Sequence, residues 1–241
     1  IGSFSLEIVP WAPRGRPSFA EITLRAAGRT DIGRHRASNE DSILLVPDKA
    51  LFAVADGMGG HRGGRVASHM VTAELGEIVR ASEGPLDLDE LERALLQINR
   101  HVFERGESDA ELQRMGSTCV VVSILDGRAE IAHIGDSRCY LVRDSGGHQI
   151  THDHRAIQPM IDQGALTESE SRVHPMRNVL TRSVGVEPEV DVARQTLELE
   201  PGDRLVLCSD GLTDMLTEAE IVAEVAAADD LDTLVESLVA Q

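Results

Sequence analysis

Short apolar runs and stretches with helical spacing alternate along the chain from about residue 22 onward. Residues 22–27 (ITLRAA) alternate apolar and polar side chains, which is typical of a half-buried strand. Residues 42–47 and 50–55 are short apolar runs that end at turn residues, and we predict a strand in each. Between residues 64 and 106, apolar residues recur three or four positions apart, which predicts two amphipathic helices separated by a Gly-Pro pair.

The rest of the chain returns to strands and then to helices. The remaining predicted elements are, in order, four strands within 117–151, two short helices within 155–173, two strands within 191–209 and two helices within 216–241. The turn at Asp126-Gly127 predicts a hairpin, and hairpin-linked strands are antiparallel. We therefore predict an α+β fold in which antiparallel sheets pack face to face with helices outside.

The first residues of the chain follow a different pattern. Residues 1–21 contain three prolines and show little periodicity, so we interpret them as an N-terminal arm or an expression remnant. The length of 241 residues favours one domain with a sizeable core, and we expect it to span residues 22–241.

Charge and composition exclude several classes of partner. The chain has 23 basic and 41 acidic residues, a net charge of −18, which should repel nucleic acid and anionic membranes. No apolar stretch is as long as a membrane span, and no basic-then-apolar leader opens the sequence. The three cysteines lie in apolar runs without a CxxC spacing, which favours buried free thiols in a reducing cytosol. We expect a cytoplasmic monomer that binds neither nucleic acid nor membranes.

Three apolar strands end in an aspartate beside a glycine, at Asp56, Asp136 and Asp210. One such ending is usually only a turn. Three of them can bring several carboxylates together where water has limited access, and a metal cation commonly offsets that repulsion. Because no His or Cys has ligand spacing, oxygen ligands favour Mg²⁺ or Mn²⁺ over Zn²⁺. The carbonyl of Gly57 is a further candidate ligand, and Asp214 faces the same side as Asp210 if a helix begins there.

An arginine and two acids precede the strand at residues 42–47. Arg36 lies four and five positions before Glu40 and Asp41. A guanidinium beside a carboxylate cluster is more often a salt-bridge partner, but near a metal pair it is a candidate phosphate clamp.

Six segments of this sequence together resemble one enzyme family. The chain is similar to the PP2C-type, metal-dependent Ser/Thr protein phosphatases, and most of all to their bacterial branch. The resemblance covers roughly Ile22 to Gln241 and implies a central antiparallel β-sandwich flanked by pairs of helices. The segments that carry it are Arg36-x-x-x-Glu40-Asp41, Asp56-Gly-Met-Gly-Gly-His61, Gly116-Ser-Thr118, Gly135-Asp-Ser-Arg138, Leu180-Thr-Arg-Ser-Val-Gly185 and Ser209-Asp-Gly-Leu-Thr-Asp214.

The resemblance also implies a binuclear Mn²⁺ or Mg²⁺ centre at the edge of the sandwich. In this family pattern Asp56 bridges the two metals. The Gly57 carbonyl and, through water, Glu40 serve one metal, and Asp210 serves the other. In the same pattern Asp41 contacts the ligands and does not bind a metal directly.

The resemblance further implies a third metal position and a reaction without a phosphoenzyme. Asp136, Asp210 and Asp214 match the positions that hold a third metal in bacterial members, and Arg36 matches the residue that binds the substrate phosphate. A metal-bridged water, with its lowered pKa, then attacks phosphorus directly, so no cysteine or serine nucleophile is needed. The expected substrates are proteins that carry phosphoserine or phosphothreonine, and a Ser/Thr protein kinase is an expected partner.

Two positions depart from the family pattern. Many eukaryotic members have a histidine, proposed as general acid, at the position that Met58 occupies here. His61 lies three residues further on and is a candidate to protonate the leaving oxygen; the alternative is a loop histidine without a catalytic part. The family also continues into a final strand with a metal-binding Asp, whereas this sequence ends at Gln241, so we expect the fold to be C-terminally incomplete.

Other expectations concern substrate access and alternative functions. Residues 152–177 match the family's flap beside the active site, with an ordinary helical insertion as the alternative. A non-catalytic module that binds metal or phosphate remains open, because a C-terminal ligand is missing. A partner-switching regulatory phosphatase of the same superfamily remains open too, because its site would be alike.

Overall fold

The computed structural model describes residues 2–9, 23–33, 38–59 and 61–240, apart from the side chains of residues 2–9, Thr23 and His61. Its strands are β1 (Gly2–Val9), β2 (Thr23–Thr30), β3 (Asp41–Val46), β4 (Leu51–Met58), β5 (Gly116–Ser117), β6 (Cys119–Leu125), β7 (Arg128–Ile134), β8 (Arg138–Arg143), β9 (Gly146–Gln149), β10 (Ala193–Glu198) and β11 (Arg204–Cys208). Its helices are α1 (His61–Ala81), α2 (Leu88–Ser108), α3 (Gln158–Asp162), α4 (Glu168–Ser171), α5 (Asp210–Thr213), α6 (Glu218–Ala227) and α7 (Leu231–Val239).

The strands form two antiparallel sheets. The first has the order β2-β1-β11-β8-β9, and the second has the order β10-β7-β6-β4-β3 with β5 paired to β4. Consecutive strands such as β6 and β7 pair as hairpins, as the Asp126-Gly127 turn predicts; both of these turn residues have positive φ. The predicted α+β class, with a central antiparallel sandwich flanked by helices, is confirmed.

Side chains of alternate residues enter different cores, which produces the layered architecture. In β4, Phe52 and Val54 point into a core between the sheets, where they join Leu205 of β11. Ala53 and Ala55 point to the opposite side, into a core shared with α1 and α2. This period-2 alternation explains why β4 reads as a continuous apolar run: both of its faces are covered.

Paired helices cover both outer faces of the sandwich. Helix α2 begins with a capping box between Asp87 and Glu90, and it buries an apolar face that includes Leu91 and Leu95. On the other side, α6 and α7 pack on the first sheet in a third apolar core. Burial of each such leucine stabilises the fold by about 1.5–3 kcal/mol. No helix in the described part of the chain is both long and apolar enough to cross a membrane.

The N-terminal residues differ from the sequence-based expectation. Gly2–Val9 form β1, which lies between β2 and β11 in the first sheet. The prediction of an arm over residues 1–21 is therefore wrong for residues 2–9, while residues 10–21 lie outside the described residues. The physical reason is that all three prolines follow residue 9, so the segment before them keeps every backbone donor that a strand needs.

Candidate metal centre

Two antiparallel strands bring the first acids together at one edge of the second sheet. Asp41 begins β3 and Asp56 lies near the end of β4, and the two residues are register partners. The Gly57 N–H donates to the Glu40 carbonyl oxygen at 3.1 Å, which fixes the strand ends against each other. Glu40 and Asp41 are buried. Residues that are 15 positions apart in the sequence thus face one site.

The other sheet contributes Asp210. Strand β11 ends at Cys208, and Ser209 then donates from its hydroxyl to Asp41 Oδ2 at 2.9 Å, which links the two sheets. Asp210 opens the short helix α5, and the Asp214 N–H donates to the Asp210 carbonyl at 2.7 Å. This turn places Asp210 and Asp214 on the same side, as the spacing predicts.

These acids line a cleft of about 920 Å³ between the sheet edges. Four of the predicted site residues lie in its wall: Glu40, Asp56, Asp210 and Asp214. Asp41 lines it as well. The remaining lining residues are Arg29, Asp31, Ile32, Gly33, Ser38, Asn39, Asn178, Gly211, Met215, Glu236, Val239 and Ala240.

The carboxyl groups in the cleft repel one another when ionised. Burial raises the pKa of Asp56 well above its ordinary value, and the charges of Asp210 and Asp41, both within hydrogen-bonding range, raise it further. Burial also raises the pKa of Asp136 to about 7, and the charge of Asp210 adds to this effect. Asp136 thus belongs to the same electrostatic cluster. Without a cation, the cluster retains protons at pH values where an ordinary aspartate is ionised.

Thr118 connects the loops that carry Asp56 and Asp136. Its N–H donates to the Asp56 carbonyl at 2.8 Å, and its hydroxyl oxygen accepts from the Asp56 N–H at 3.0 Å. The same hydroxyl lies 2.6 Å from that of Ser137, the residue after Asp136. Thr118, which is buried, therefore fixes the end of β4 that carries Asp56 relative to the loop that carries Asp136.

The donor set fits a hard divalent cation. It consists of carboxylate oxygens, which Mg²⁺ and Mn²⁺ prefer. In the described part of the chain, no three or more Asp, Glu, His or Cys side chains already surround a single ion position. Instead, the carboxyl groups of Asp41 and Asp210 contact that of Asp56, and the pKa of Asp56 is raised. A divalent cation that displaces these protons would remove the repulsion that raises the pKa.

The roles of three of the predicted site residues stay predictions. Arg36 lies outside the described residues, so its role as phosphate clamp stays a prediction. His61 is the first residue of α1, and its side chain is likewise outside the description. Gly57 is buried and directly follows Asp56. The ligand role of its carbonyl stays a prediction.

Sequence reasoning missed a buried network at the base of the predicted flap. The Asp153 carboxylate accepts a hydrogen bond from Arg138 and forms an ion pair with Arg155, with a distance of 2.7 Å to each. His154 Nδ1 accepts from the Gly135 N–H at 3.1 Å, and the His154 N–H donates to the Gly135 carbonyl at 3.1 Å. These contacts anchor the Asp136 loop to the flap's first residues. The sequence feature that could have indicated this network is the run of ionisable residues at 152–155, which directly follows a predicted strand.

The cysteines play no part in the cleft. Cys119, Cys139 and Cys208 are free and buried, as predicted. Burial raises the pKa of Cys119 and of Cys208 to about 12, so neither thiol forms a nucleophilic thiolate near neutral pH.

An antiparallel sandwich with helices on both outer faces and a cleft rich in carboxylates at one edge is the arrangement of a metal-dependent hydrolase of phosphate esters. Comparison with family models identifies the relationship more closely: residues 30–239 match "Protein phosphatase 2C". The chain belongs to the protein phosphatase 2C family. This confirms the predicted family, and with it the class of phosphoprotein phosphatase.

Relatives and solved structures agree with this assignment. The chain is 37% identical over 216 residues to protein phosphatase PhpP of Streptococcus pneumoniae, covering 86% of this chain and 87% of PhpP. It is similar to the crystal structure of the Mycobacterium tuberculosis serine/threonine phosphatase PstP/Ppp, with a TM-score of 0.82, 35% identity and 90% of each chain covered. A structure of the PstP catalytic domain in complex with two manganese ions has a TM-score of 0.81 and 31% identity, and covers 98% of this chain and 91% of that domain.

Proposed function

We propose that this chain is a metal-dependent phosphatase that hydrolyses phosphoserine and phosphothreonine in proteins. The observation that carries the proposal is the convergence of Asp41, Asp56 and Asp210 from the edges of both sheets into one cleft. Membership of the protein phosphatase 2C family supports it. The names of its relatives, which are serine/threonine phosphatases, support the choice of substrate.

The residues proposed to hold the cations have oxygen donors in the cleft wall, at Glu40, Asp56, Asp210 and Asp214, or directly beside it, at Gly57 and Asp136. We assign two Mn²⁺ or Mg²⁺ ions to Asp56, Glu40, Asp210 and the Gly57 carbonyl. A third ion is proposed to lie where Asp136, Asp210 and Asp214 can all contact it. When bound, divalent cations stabilise negative charge on a phosphate ester and lower the pKa of water. The manganese-bound relative supports this choice of metal.

The chain's own residues orient and confine the reacting groups. Ser209 holds the Asp41 carboxylate, and Thr118 holds the backbone of Asp56, so neither needs to reorganise when substrate binds. Arg36 is proposed to bind the substrate phosphate through its planar fork of donors. His61 is proposed to donate a proton to the leaving serine or threonine oxygen.

The proposed partners are phosphorylated proteins and the Ser/Thr kinase that phosphorylates them. The strong net charge of −18 makes nucleic acid an unfavourable partner. A kinase gene adjacent to the gene for this chain would provide the first candidate substrate.

Metal-dependent turnover tests the proposal. We expect Mn²⁺-dependent hydrolysis of para-nitrophenyl phosphate and of a phosphothreonine peptide, both reduced at least about 100-fold in Asp56→Asn because the variant loses a metal-binding charge. The matched control is Asp126→Asn, which changes another Asp-Gly pair, in the β6–β7 hairpin away from the cleft. No Mn²⁺-dependent turnover in the wild type would identify a non-catalytic module instead. Equal turnover in Asp56→Asn and Asp126→Asn would show that Asp56 does not hold the catalytic metal.

A further inference from the structure

Most of the large apolar side chains that are exposed belong to the predicted flap region or to the wall of the metal cleft. Seven described residues of this kind are at least 40% exposed, and four of them belong to residues 160–179 within or just beyond the predicted flap. Two more, Ile32 and Met215, line the metal cleft. Only Leu96, on α2, lies elsewhere among these seven. Exposed apolar residues that are grouped in this way mark an interaction surface, whereas scattered ones do not.

Hydrogen bonds from Arg172 join the predicted flap to the turn that forms part of the cleft wall. Arg172 donates to the Leu216 carbonyl at 2.8 Å and to the Asp214 carbonyl at 3.3 Å, the two carbonyls that flank Met215. Val173, which is 81% exposed, directly follows Arg172. The flap chain therefore lies against the same turn that carries the cleft acids.

The next turn of the flap brings further apolar residues to the same edge. The Val179 N–H donates to the Met176 carbonyl at 3.1 Å, and these residues are 45% and 47% exposed. Asn178 between them lines the cleft. We call Ile32, Val173, Met176, Val179 and Met215 the apolar rim.

The charge of the cleft restricts what the rim can bind. Asp31 and Asp41 line the cleft in addition to the acids assigned to metals, Glu236 there is paired with Arg29 at 2.8 Å, and the whole chain carries a net charge of −18. A segment with acidic residues around its phosphate would be repelled, whereas one with apolar neighbours would bury them on the rim. Methionine side chains adapt to apolar groups of different shape, which suits a surface that accepts several sequences.

We propose that the apolar rim is the docking surface for a phosphoprotein segment with a large apolar side chain within a few residues of the phosphorylated serine or threonine. The proposal rests on the proposed phosphatase function, because the phosphate must sit in the adjoining cleft while the rim contacts the flanking residue. The rim adds affinity for the segment and takes no part in the reaction at phosphorus.

Two peptides that differ at one position test the docking surface. Both carry phosphothreonine, and the flanking residue is leucine in one and serine in the other. For the wild type we expect kcat/KM to be about 10-fold higher for the leucine peptide, mainly through KM, as burial of one aliphatic side chain predicts. Met176→Ser and Val179→Ser should reduce this preference several-fold and leave para-nitrophenyl phosphate turnover unchanged. Leu96→Ser, an exposed apolar residue on α2, is the matched control and should keep the preference.

The possible results separate this inference from the proposed function. Equal kcat/KM for both peptides in the wild type, with para-nitrophenyl phosphate turnover intact, would overturn the docking surface alone. The docking surface would also be overturned if Met176→Ser and Val179→Ser kept the preference for the leucine peptide as fully as Leu96→Ser does. A concentration-dependent dimer that Met176→Ser abolishes would assign the rim to a second copy of the chain. Absence of turnover on every substrate would overturn both proposals.

Discussion

Asp153 is the most completely enclosed charged side chain beside the metal site, with 1% of its side chain exposed. The Arg138 guanidinium donates to its carboxylate, the Arg155 guanidinium forms an ion pair with it, and the Gln149 side chain donates at 2.8 Å. Removal of a carboxylate from such a site leaves buried positive charges without their partner, which costs far more than the ion pair contributes.

We therefore expect Asp153→Ala to lower the free energy of unfolding by about 3–5 kcal/mol. Urea denaturation at neutral pH measures this change. Glu200→Ala is the control, because Glu200 also pairs with an arginine, Arg143 at 2.6 Å, but is 63% exposed. Its loss should cost about 1 kcal/mol or less. Similar losses in the two variants would mean that the Asp153 network is solvated and adds little to stability.

At the scale of elements, helix α1 begins directly against the metal loop. A Cβ atom on Gly57 would lie 2.0 Å from the Gly64 carbonyl oxygen, and one on Gly64 would lie 2.8 Å from the Gly57 carbonyl carbon and oxygen. Two backbones approach this closely only because neither residue has a side chain. The first turn of α1 thereby sets the position of Gly57, whose carbonyl we propose as a metal ligand.

Gly64→Ala tests this contact. In an exposed helix the change would stabilise by about 1 kcal/mol, but here the new methyl group should push α1 away from Gly57. We expect a lower melting temperature and a several-fold higher Mn²⁺ concentration for half-maximal activity. Gly84→Ala is the control, since a Cβ there meets no atom within 4 Å. If both variants behave alike, the close approach does not position the metal loop.

Most of the helices and strands can be predicted from local sequence patterns, whereas the metal site can be predicted from the sequence only in part. The bounds of β7 agree with the apolar run at 128–134 because its register is set by a local hairpin. The acids at strand ends, such as Asp56 and Asp210, are visible in the sequence because three apolar runs end in an aspartate beside a glycine, which a single turn would not explain. The Ser209–Asp41 bond joins residues from different sheets, and no local pattern encodes such a contact. The pairing of β1 with β11 is likewise absent from any local pattern, because about 200 residues separate the two strands.

At the scale of the whole molecule, the acidic cleft couples stability to pH and to metal. The pKa of Asp136 is about 7 in the folded chain, well above its ordinary value, because burial and the charge of Asp210 disfavour ionisation. A raised carboxyl pKa stabilises the fold only while the group is protonated. This contribution is complete below the unfolded pKa of about 4 and is lost as pH rises to about 7.

The metal-free protein should consequently lose stability between about pH 5 and pH 7, and Mn²⁺ should restore more stability at the upper end. Urea unfolding in EDTA at pH 5.5 and 7.5, repeated with Mn²⁺, measures both effects. Asp136→Asn removes one of the two carboxyl groups with a raised pKa, the other being Asp56, and should make the metal-free profile shallower over this interval. A profile in the variant that stays parallel to that of the wild type would show that Asp136 is not the source.

The position of β1 has a consequence for how the molecule is made. Ser3 pairs with Cys208 and Glu7 with Arg204, so the middle of the first sheet joins residues from opposite regions of the sequence. On the ribosome, β1 emerges early but must wait for β11 before that pairing forms, and such long-range pairing slows folding. Asp210 follows β11 almost immediately, so neither the cleft nor the central pairing of this sheet can be completed before residues 204–210 have been synthesised.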